Sequence, residues 1–318
     1  MQSRPEADRQ CADAVLMIRP RCFGANPETA ASNLFQQGGA GPDAPAEARR
    51  EFEGLVMALS KAGVAVQVVE DTPEPAKPDA CFPNNWVSFH DDGSLVLYPL
   101  LAASRRAERR EEPIAHLRAA GFRITRTVDL SHWELRGEYL EGTGSLVLDR
   151  CHRIAYACWS PRTSRGALED FAAQLGYRAV TFDACGPGNQ PVYHTNVLMA
   201  IGRDFAVLCS EAITGLQERA AVQRELEQAG HELIEIDNAQ MNRFAGNLLA
   251  LSAAGGEPLI ALSATAWVSL APAQQRALER HGTIVAVRIP TIERYGGGSV
   301  RCMIAEVFLP RLAHDARC

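Results

Sequence analysis

The sequence carries no excess of positive charge. Its 32 Lys and Arg face 38 Asp and Glu, a formal net charge of −6. That argues against a nucleic-acid or polyanion surface. No apolar run approaches the ~20 residues a membrane span needs. The N-terminal MQSRPEADRQ is too polar for a secretory signal. The nine cysteines are odd in number and scattered, with no CxxC pair, which excludes a disulfide framework and a structural zinc site. No Walker loop is present, and GGGSVRC (296–302) leads into an apolar run rather than a helix, so the phosphate-cradle reading fails. A soluble cytoplasmic protein is the expectation.

Nearly half the residues, 47%, are hydrophobic, enough for a sizeable core. They fall into short strand-like runs followed by helical stretches. VLMIRP (15–20) precedes a helix over 44–62, and VAVQVVE (64–70) follows it. WVSFH (86–90) and SLVLYPL (94–100) flank the turn DDG and read as a hairpin, with a helix over 104–120. The arrangement returns as GSLVLD (144–149) and RIAYACW (153–159) before a helix over 163–176. It returns again as TNVLMAIG (195–202) and FAVLCS (205–210) before one over 215–230. LIALS (259–263), a helix over 271–281, TIVAVRIP (283–290) and VRCMIAEVF (300–308) complete the chain. A unit of roughly 50–65 residues repeated about five times predicts a closed α/β array. A duplicated doubly wound sheet competes, but parallel sheets use helical crossovers rather than tight hairpins.

Three polar residues stand where a polar or glycine-rich turn enters an apolar run. Cys302 follows Gly296–Gly298, His194 sits in PVYHTNVLMAIG, and Glu141 opens EGTGSLVLD. A lone cysteine is usually a small buried hydrophobe, and a lone histidine there is usually just hydrogen-bonded. Glycines, however, let a backbone approach a ligand closely. A nucleophilic thiol needs an imidazole and something to orient it. The other histidines (90, 116, 132, 152, 231, 281 and 314) lie in charged or turn contexts and read as surface residues.

YLEGTGSLVLD, YHTNVLMAIG and GGGSVRCM, in that order, closely resemble the guanidino-modifying superfamily. Arginine deiminases, dimethylarginine dimethylaminohydrolases and amidinotransferases belong to it, and the likeness is greatest to amidinotransferase-like citrulline-utilization hydrolases. The resemblance spans VLMIRP to VFLP. It implies the pentein fold, an α/β propeller of five ββαβ-type modules, as one domain over 1–318 with residues 1–12 a flexible N-terminus. It makes Cys302 the nucleophile, His194 the acid/base and Glu141 the group that orients His194. In PDACFPNNW (78–86), Asp79 would hold the substrate head group, a role Glu138 could also fill, and Phe82 would pack on it. Arg105 and Arg162 match positions that hold the substrate carboxylate, with surface charge as the plain alternative. Where arginine deiminases carry carboxylates against the guanidinium, this chain has Asn85 (or Asn84) and Asn196. An amide both donates and accepts, so it suits a neutral ureido group as well as a cation.

The implied function is cysteine-dependent hydrolysis at the guanidino or ureido carbon of an arginine- or citrulline-like amino acid. Neither metal nor organic cofactor is required. The partner is a small-molecule amino acid, not nucleic acid or membrane, with a homodimer allowed. Two alternatives stand beside it: amidino transfer to an amine, and a non-catalytic binding or assembly protein on the same scaffold.

Overall fold

A computed structural model describes residues 9–312. Its strands form five separate three-stranded sheets rather than one continuous sheet. The second module shows the plan. β3 (Val87–Phe89) and β4 (Ser94–Leu97) form an antiparallel hairpin, helix α2 (Glu111–Ala119) crosses over, and β5 (Arg126–Asp129) pairs parallel to β4. The third module repeats it with β6 (Val147–Asp149), β7 (Ile154–Cys158), α3 (Arg165–Leu175) and β8 (Arg178–Phe182). The fourth has β9 (Met199–Ile201), β10 (Phe205–Leu208), α4 (Leu216–Gln228) and β11 (Glu232–Glu235). The fifth has β12 (Leu249–Ser252), β13 (Pro258–Ser263), α5 (Pro272–His281) and β14 (Thr283–Val287).

The first module is assembled from both ends of the chain. β1 (Ala14–Arg19), α1 (Ala44–Lys61) and β2 (Ala65–Glu70) supply its parallel pair. The last strand, β15 (Ala305–Glu306), returns to lie antiparallel to β1, with Val15 opposite Glu306. Cys302 therefore lies on the segment that closes the ring.

Strand patterning explains why these runs read as unbroken apolar stretches. In β1, Ala14, Leu16 and Ile18 pack into a cluster with Trp86 and Phe89 of the second module. Val15 and Met17 point the other way, into a cluster with Leu251 and Ala261 of the fifth. The same alternation splits β7: Tyr156 and Cys158 face one cluster, Ala155 and Ala157 another. Side chains alternate across a strand, and here both faces are covered by neighbouring modules, so both must be apolar. Each fully buried Leu, Ile or Phe contributes about 1.5–3 kcal/mol.

Three runs expected as strand throughout begin instead as a single helical turn. These are Gly142–Ser145, Thr195–Leu198 and Val300–Met303, with Glu141, His194 and Ser299 at their N-caps. Short apolar runs cannot separate turn from strand by periodicity. The expected N-terminal tail divides too. Residues 1–8 lie outside the described residues, whereas Gln10, Cys11 and Ala12 are buried. Gln10 Nε2 donates to the Leu148 carbonyl at 2.9 Å, and its Oε1 accepts from Arg150 N at 2.7 Å. Among the described residues no helix is long and apolar enough to cross a membrane.

Candidate active site

The helical turns at Pro83–Asn85, Gly142–Ser145, Thr195–Leu198 and Val300–Met303, each ahead of a module's first strand, pack against one another. Two glycines mark how closely they approach. A Cβ on Gly246 would collide with the Val197 carbonyl, and one on Gly142, at φ +47°, would collide with that of Asn84. Only glycine fits such positions cheaply.

This packing presents Cys302, His194, Asp79, Phe82, Asn85, Arg105 and Arg162 to one small cavity. Glu141 stands directly behind His194. His194 Nε2 lies 2.8 Å from Glu141 Oε2, which also accepts from Arg162 Nη1 at 3.2 Å. Glu141 Oε1 takes the Leu101 N–H at 3.1 Å. Burial raises the Glu141 carboxyl's pKa, but Arg162, His194 and Arg105 together outweigh it and hold the group well below the carboxylate range. His194 is shifted the other way: burial lowers it from 6.5 to about 4 despite the support of Glu141. Its imidazole is therefore neutral near pH 7, with the proton on Nε2. A Cβ on Gly144 would stand 2.7 Å from His194 Nδ1 and collide with Asn85 Nδ2, so this glycine makes room for both side chains.

The Cys302 thiol lies against amides. Asn247 Nδ2 donates to Sγ at 3.3 Å and Asn196 Nδ2 at 3.6 Å, while the thiol reaches Asn247 Oδ1 at 3.6 Å. Asn247 also donates to the Asn196 carbonyl at 3.0 Å. The Gly296–Gly298 segment has a concrete packing cause. A Cβ on Gly296 would stand 2.7 Å from Phe82 Cζ, and one on Gly298 3.0 Å from Phe82 Cε1. The segment packs against the far end of the Phe82 ring, and the Gly297 carbonyl accepts from Tyr193 Oη at 2.7 Å and Asn33 Nδ2 at 3.1 Å.

Asp79 lines the cavity, but its Oδ2 also accepts from Asn26 Nδ2 (2.7 Å) and Thr29 Oγ1 (3.2 Å). Glu138 is outside the cavity, where its Oε2 accepts from Gly166 N at 2.8 Å. The two arginines are buried and engaged. Arg105 is bidentate to Glu108 (2.9 and 2.8 Å) and donates to Asn85 Oδ1 (2.6 Å) and the Phe82 carbonyl (3.1 Å). Burial disfavours its charge, yet Glu108, Asp79 and Glu141 keep it protonated. Arg162 Nη2 donates to the Thr29 carbonyl and Ser32 Oγ, both at 2.9 Å. In this conformation residues 26–33 form a strap over the cavity, held through Asp79, Arg162 and Gly297.

The strap, Asn247, Tyr193 and Glu108 are site components that sequence reasoning missed. For Asn247 a signal existed, because Gly246-Asn247 precedes an apolar run just as Gly142–Gly144 does. Several amide atoms are buried without a hydrogen-bond partner: both polar atoms of Asn84, Asn85 Nδ2 and Asn196 Oδ1. Asn84 itself is absent from the cavity lining.

Two histidines expected at the surface are buried. His90 is 1% exposed and bonded to Ser88 Oγ at 2.9 Å, with burial pushing its pKa well down. His231 is 6% exposed and paired with Asp149 at 2.9 Å. Local charge or turn context does not report what a distant module lays over a residue.

Five ββαβ modules closed by the chain ends, with polar groups gathered where the inner turns meet, define the pentein fold. Within that class, the sequence pattern of the family described as N,N-dimethylarginine dimethylhydrolase, eukaryotic, matches residues 19–309, so the chain belongs to that family. No curated protein matches the chain. Among solved structures it resembles ArgZ, an arginine dihydrolase from the ornithine–ammonia cycle in cyanobacteria (TM-score 0.72, 17% identity, 94% of this chain). The chain spans only 41% of the length of that ArgZ chain. It covers 99% of the separate ArgZ N-terminal domain, solved covalently bound to a reaction intermediate (TM-score 0.71, 17% identity, 93% of this chain). A dimethylarginine dimethylaminohydrolase adduct with S-methyl-L-thiocitrulline matches at TM-score 0.63 and 13% identity, over 92% of this chain and 99% of the other.

Proposed function

We propose that the protein is a cysteine-dependent hydrolase acting on the guanidino carbon of an arginine-like amino acid. The observation that carries this reading is the meeting of Cys302 and His194 at one buried cavity, with Glu141 bonded to the imidazole at 2.8 Å. A guanidinium carbon is a poor electrophile, so a thiolate must attack it and a proton must reach the departing amine. His194 is neutral and Cys302 is surrounded by amides, so no imidazolium is at hand to favour thiolate. A substrate that brings its own cation supplies that field. This supports a guanidinium over a neutral substrate for the first attack.

Cys302 Sγ adds to the central carbon as its S–H proton passes to His194 Nδ1, giving a tetrahedral adduct and an imidazolium. Its collapse, with a proton delivered through His194, expels ammonia or an alkylamine and leaves an S-alkylthiouronium. Of the two ring nitrogens, Nδ1 has no bond to the described residues, and we assign proton exchange to it. Water then adds to the thiouronium carbon and gives its proton to His194; the C–S bond breaks, releasing the ureido product, and the imidazolium, stabilised by Glu141, returns that proton to the Cys302 sulfur. Asp79 and Asn85 line the cavity where substrate nitrogens would sit. Arg162, which lines the cavity, is assigned to the substrate carboxylate.

A second reading extends the first. Asn85 Nδ2 is left as a donor and Asn196 Oδ1, beside the thiol, as an acceptor with no partner, so a citrulline-like product or substrate also fits. The test is incubation with arginine, methylarginines, agmatine and citrulline, with products identified by mass spectrometry. Ammonia or alkylamine release that disappears in Cys302→Ser is expected. Inertness toward every guanidino compound would overturn the proposal, and inert citrulline alone would remove the extension.

A further inference from the structure

Asp149 ends β6, and the turn after it folds His152 back over the carboxylate. Arg153 closes that turn in the left-handed region, at φ +53°. His152 donates its backbone N–H to Asp149 Oδ1 at 3.1 Å, and its Nδ1 lies 2.9 Å from both carboxylate oxygens. The third member comes from the neighbouring module: His231, just before β11, sets Nε2 2.9 Å from Asp149 Oδ2. The three ligand-type atoms all lie within 4.8 Å of one another. None of these residues lines the cavity at Cys302.

We propose that Asp149, His152 and His231 form a binding site for a borderline divalent cation such as Zn²⁺, bridging the third and fourth modules. Two imidazole nitrogens and one carboxylate oxygen suit zinc and its neighbours rather than Mg²⁺ or Ca²⁺, which take oxygen ligands. Bonds of ~2.0–2.2 Å at tetrahedral angles separate ligand atoms by roughly 3.3 Å. The imidazole–carboxylate contacts, now at 2.9 Å, need to open by only a fraction of an ångström, and the two imidazole nitrogens, within 4.8 Å of each other, need only settle near that separation. Without a cation, the imidazoles turn toward the same carboxylate and fill its lone pairs with protons. His231 Nδ1 is buried with no hydrogen-bond partner, so no other group holds its proton at Nε2. When Nε2 takes a metal, that proton is given up to solvent and Nδ1 carries the ring N–H in its place. His152 leaves an entry path, since its side chain is 45% exposed while that of Asp149 is wholly buried. Three protein ligands leave a fourth position for water.

The test uses the full chain carrying Cys302→Ser, so that the cavity thiol cannot contribute. Zn²⁺ is titrated by calorimetry, and Co²⁺ absorption reports the ligands. One saturable equivalent is expected, with a Co²⁺ spectrum lacking sulfur charge-transfer bands. Adding His152→Ala, a change at a half-exposed turn residue, should weaken Zn²⁺ binding by more than the ~10–100-fold typical of an outer-shell partner. His231→Ala should do the same, and Zn²⁺ should raise the Tm only where both histidines remain. Absence of a saturable site, sulfur ligation of Co²⁺, or an affinity in His152→Ala within 100-fold of the parent would overturn the proposal.

Discussion

Two buried imidazole–carboxylate pairs stand in this molecule with nearly the same contact. His194 meets Glu141 at 2.8 Å and His231 meets Asp149 at 2.9 Å. Their surroundings differ. Glu141 is backed by Arg162 and a backbone N–H, so its charge is fixed, and its imidazole borders a cavity that also holds a thiol. Asp149 is backed by a second imidazole, next to a turn open to solvent. A histidine–carboxylate contact therefore does not define chemistry by itself. The surroundings of the pair decide: a thiol sharing one cavity in the first case, a second imidazole beside an exposed turn in the other.

The largest expected effect is at the thiol. Cys302→Ser should lower turnover by at least ~10⁵-fold, the scale seen when a nucleophile is lost, with an unchanged circular dichroism spectrum. Steady-state assays would expose an error if the variant kept even a hundredth of the activity. Next come the two acids. Glu141→Gln should cost ~10³–10⁴-fold in kcat, as loss of an orienting carboxylate does. Asp149→Asn should leave kcat within a few-fold and instead cost about 1–3 kcal/mol of stability. If kcat fell equally in both variants, the contrast between the pairs would be broken.

Gly144→Ala probes the crowding at His194. The added methyl must displace the imidazole or Asn85, and a shift of ~1 Å costs ~10²-fold in rate. Asn247→Ala removes one amide from the thiol, and a loss of roughly fivefold in kcat is expected for one hydrogen bond of about 1 kcal/mol.

The pH dependence of stability has a definite sign. Burial lowers His194 to about 4, and His90 moves the same way. Below pH ~6.5 the unfolded chain takes up these protons while the folded chain does not. The stability they contribute is whole above that pH and falls as pH drops toward 4. His194 alone accounts for roughly 2–3 kcal/mol between pH 7 and 4.5. Urea unfolding at both pH values should show a smaller loss in His194→Gln than in the parent. An identical loss would show that His194 is not held neutral.

Three of the hairpins, the five helices and the count of modules were legible because both strand faces are apolar and the turns between them are polar; the pairings of Leu249–Ser252 with Pro258–Ser263 and of β1 with β15 were not. The grouping of Cys302, His194 and Glu141 was suggested by their places at polar or glycine-bearing turns before apolar runs, and their roles by the family resemblance. The helical turns at Gly142–Ser145, Thr195–Leu198 and Val300–Met303 were not legible, since four residues are too few to show a period. The strap at 26–33 was invisible: Asn26, Thr29 and Asn33 act through Asp79, Arg162 and Gly297, far away in the chain. The burial of His231 depends on Asp149 in another module, and its own neighbours carry no trace of that.

The proposed chemistry stands or falls on a covalent bond from Cys302 to substrate carbon. Intact-protein mass spectrometry on enzyme acid-quenched during turnover of arginine and methylarginines looks for that bond itself. A thiouronium-sized mass increase, mapped by peptide sequencing to Cys302 and absent from Cys302→Ser, is predicted. Turnover without any such adduct, in an enzyme whose activity survives Cys302→Ser, would contradict it.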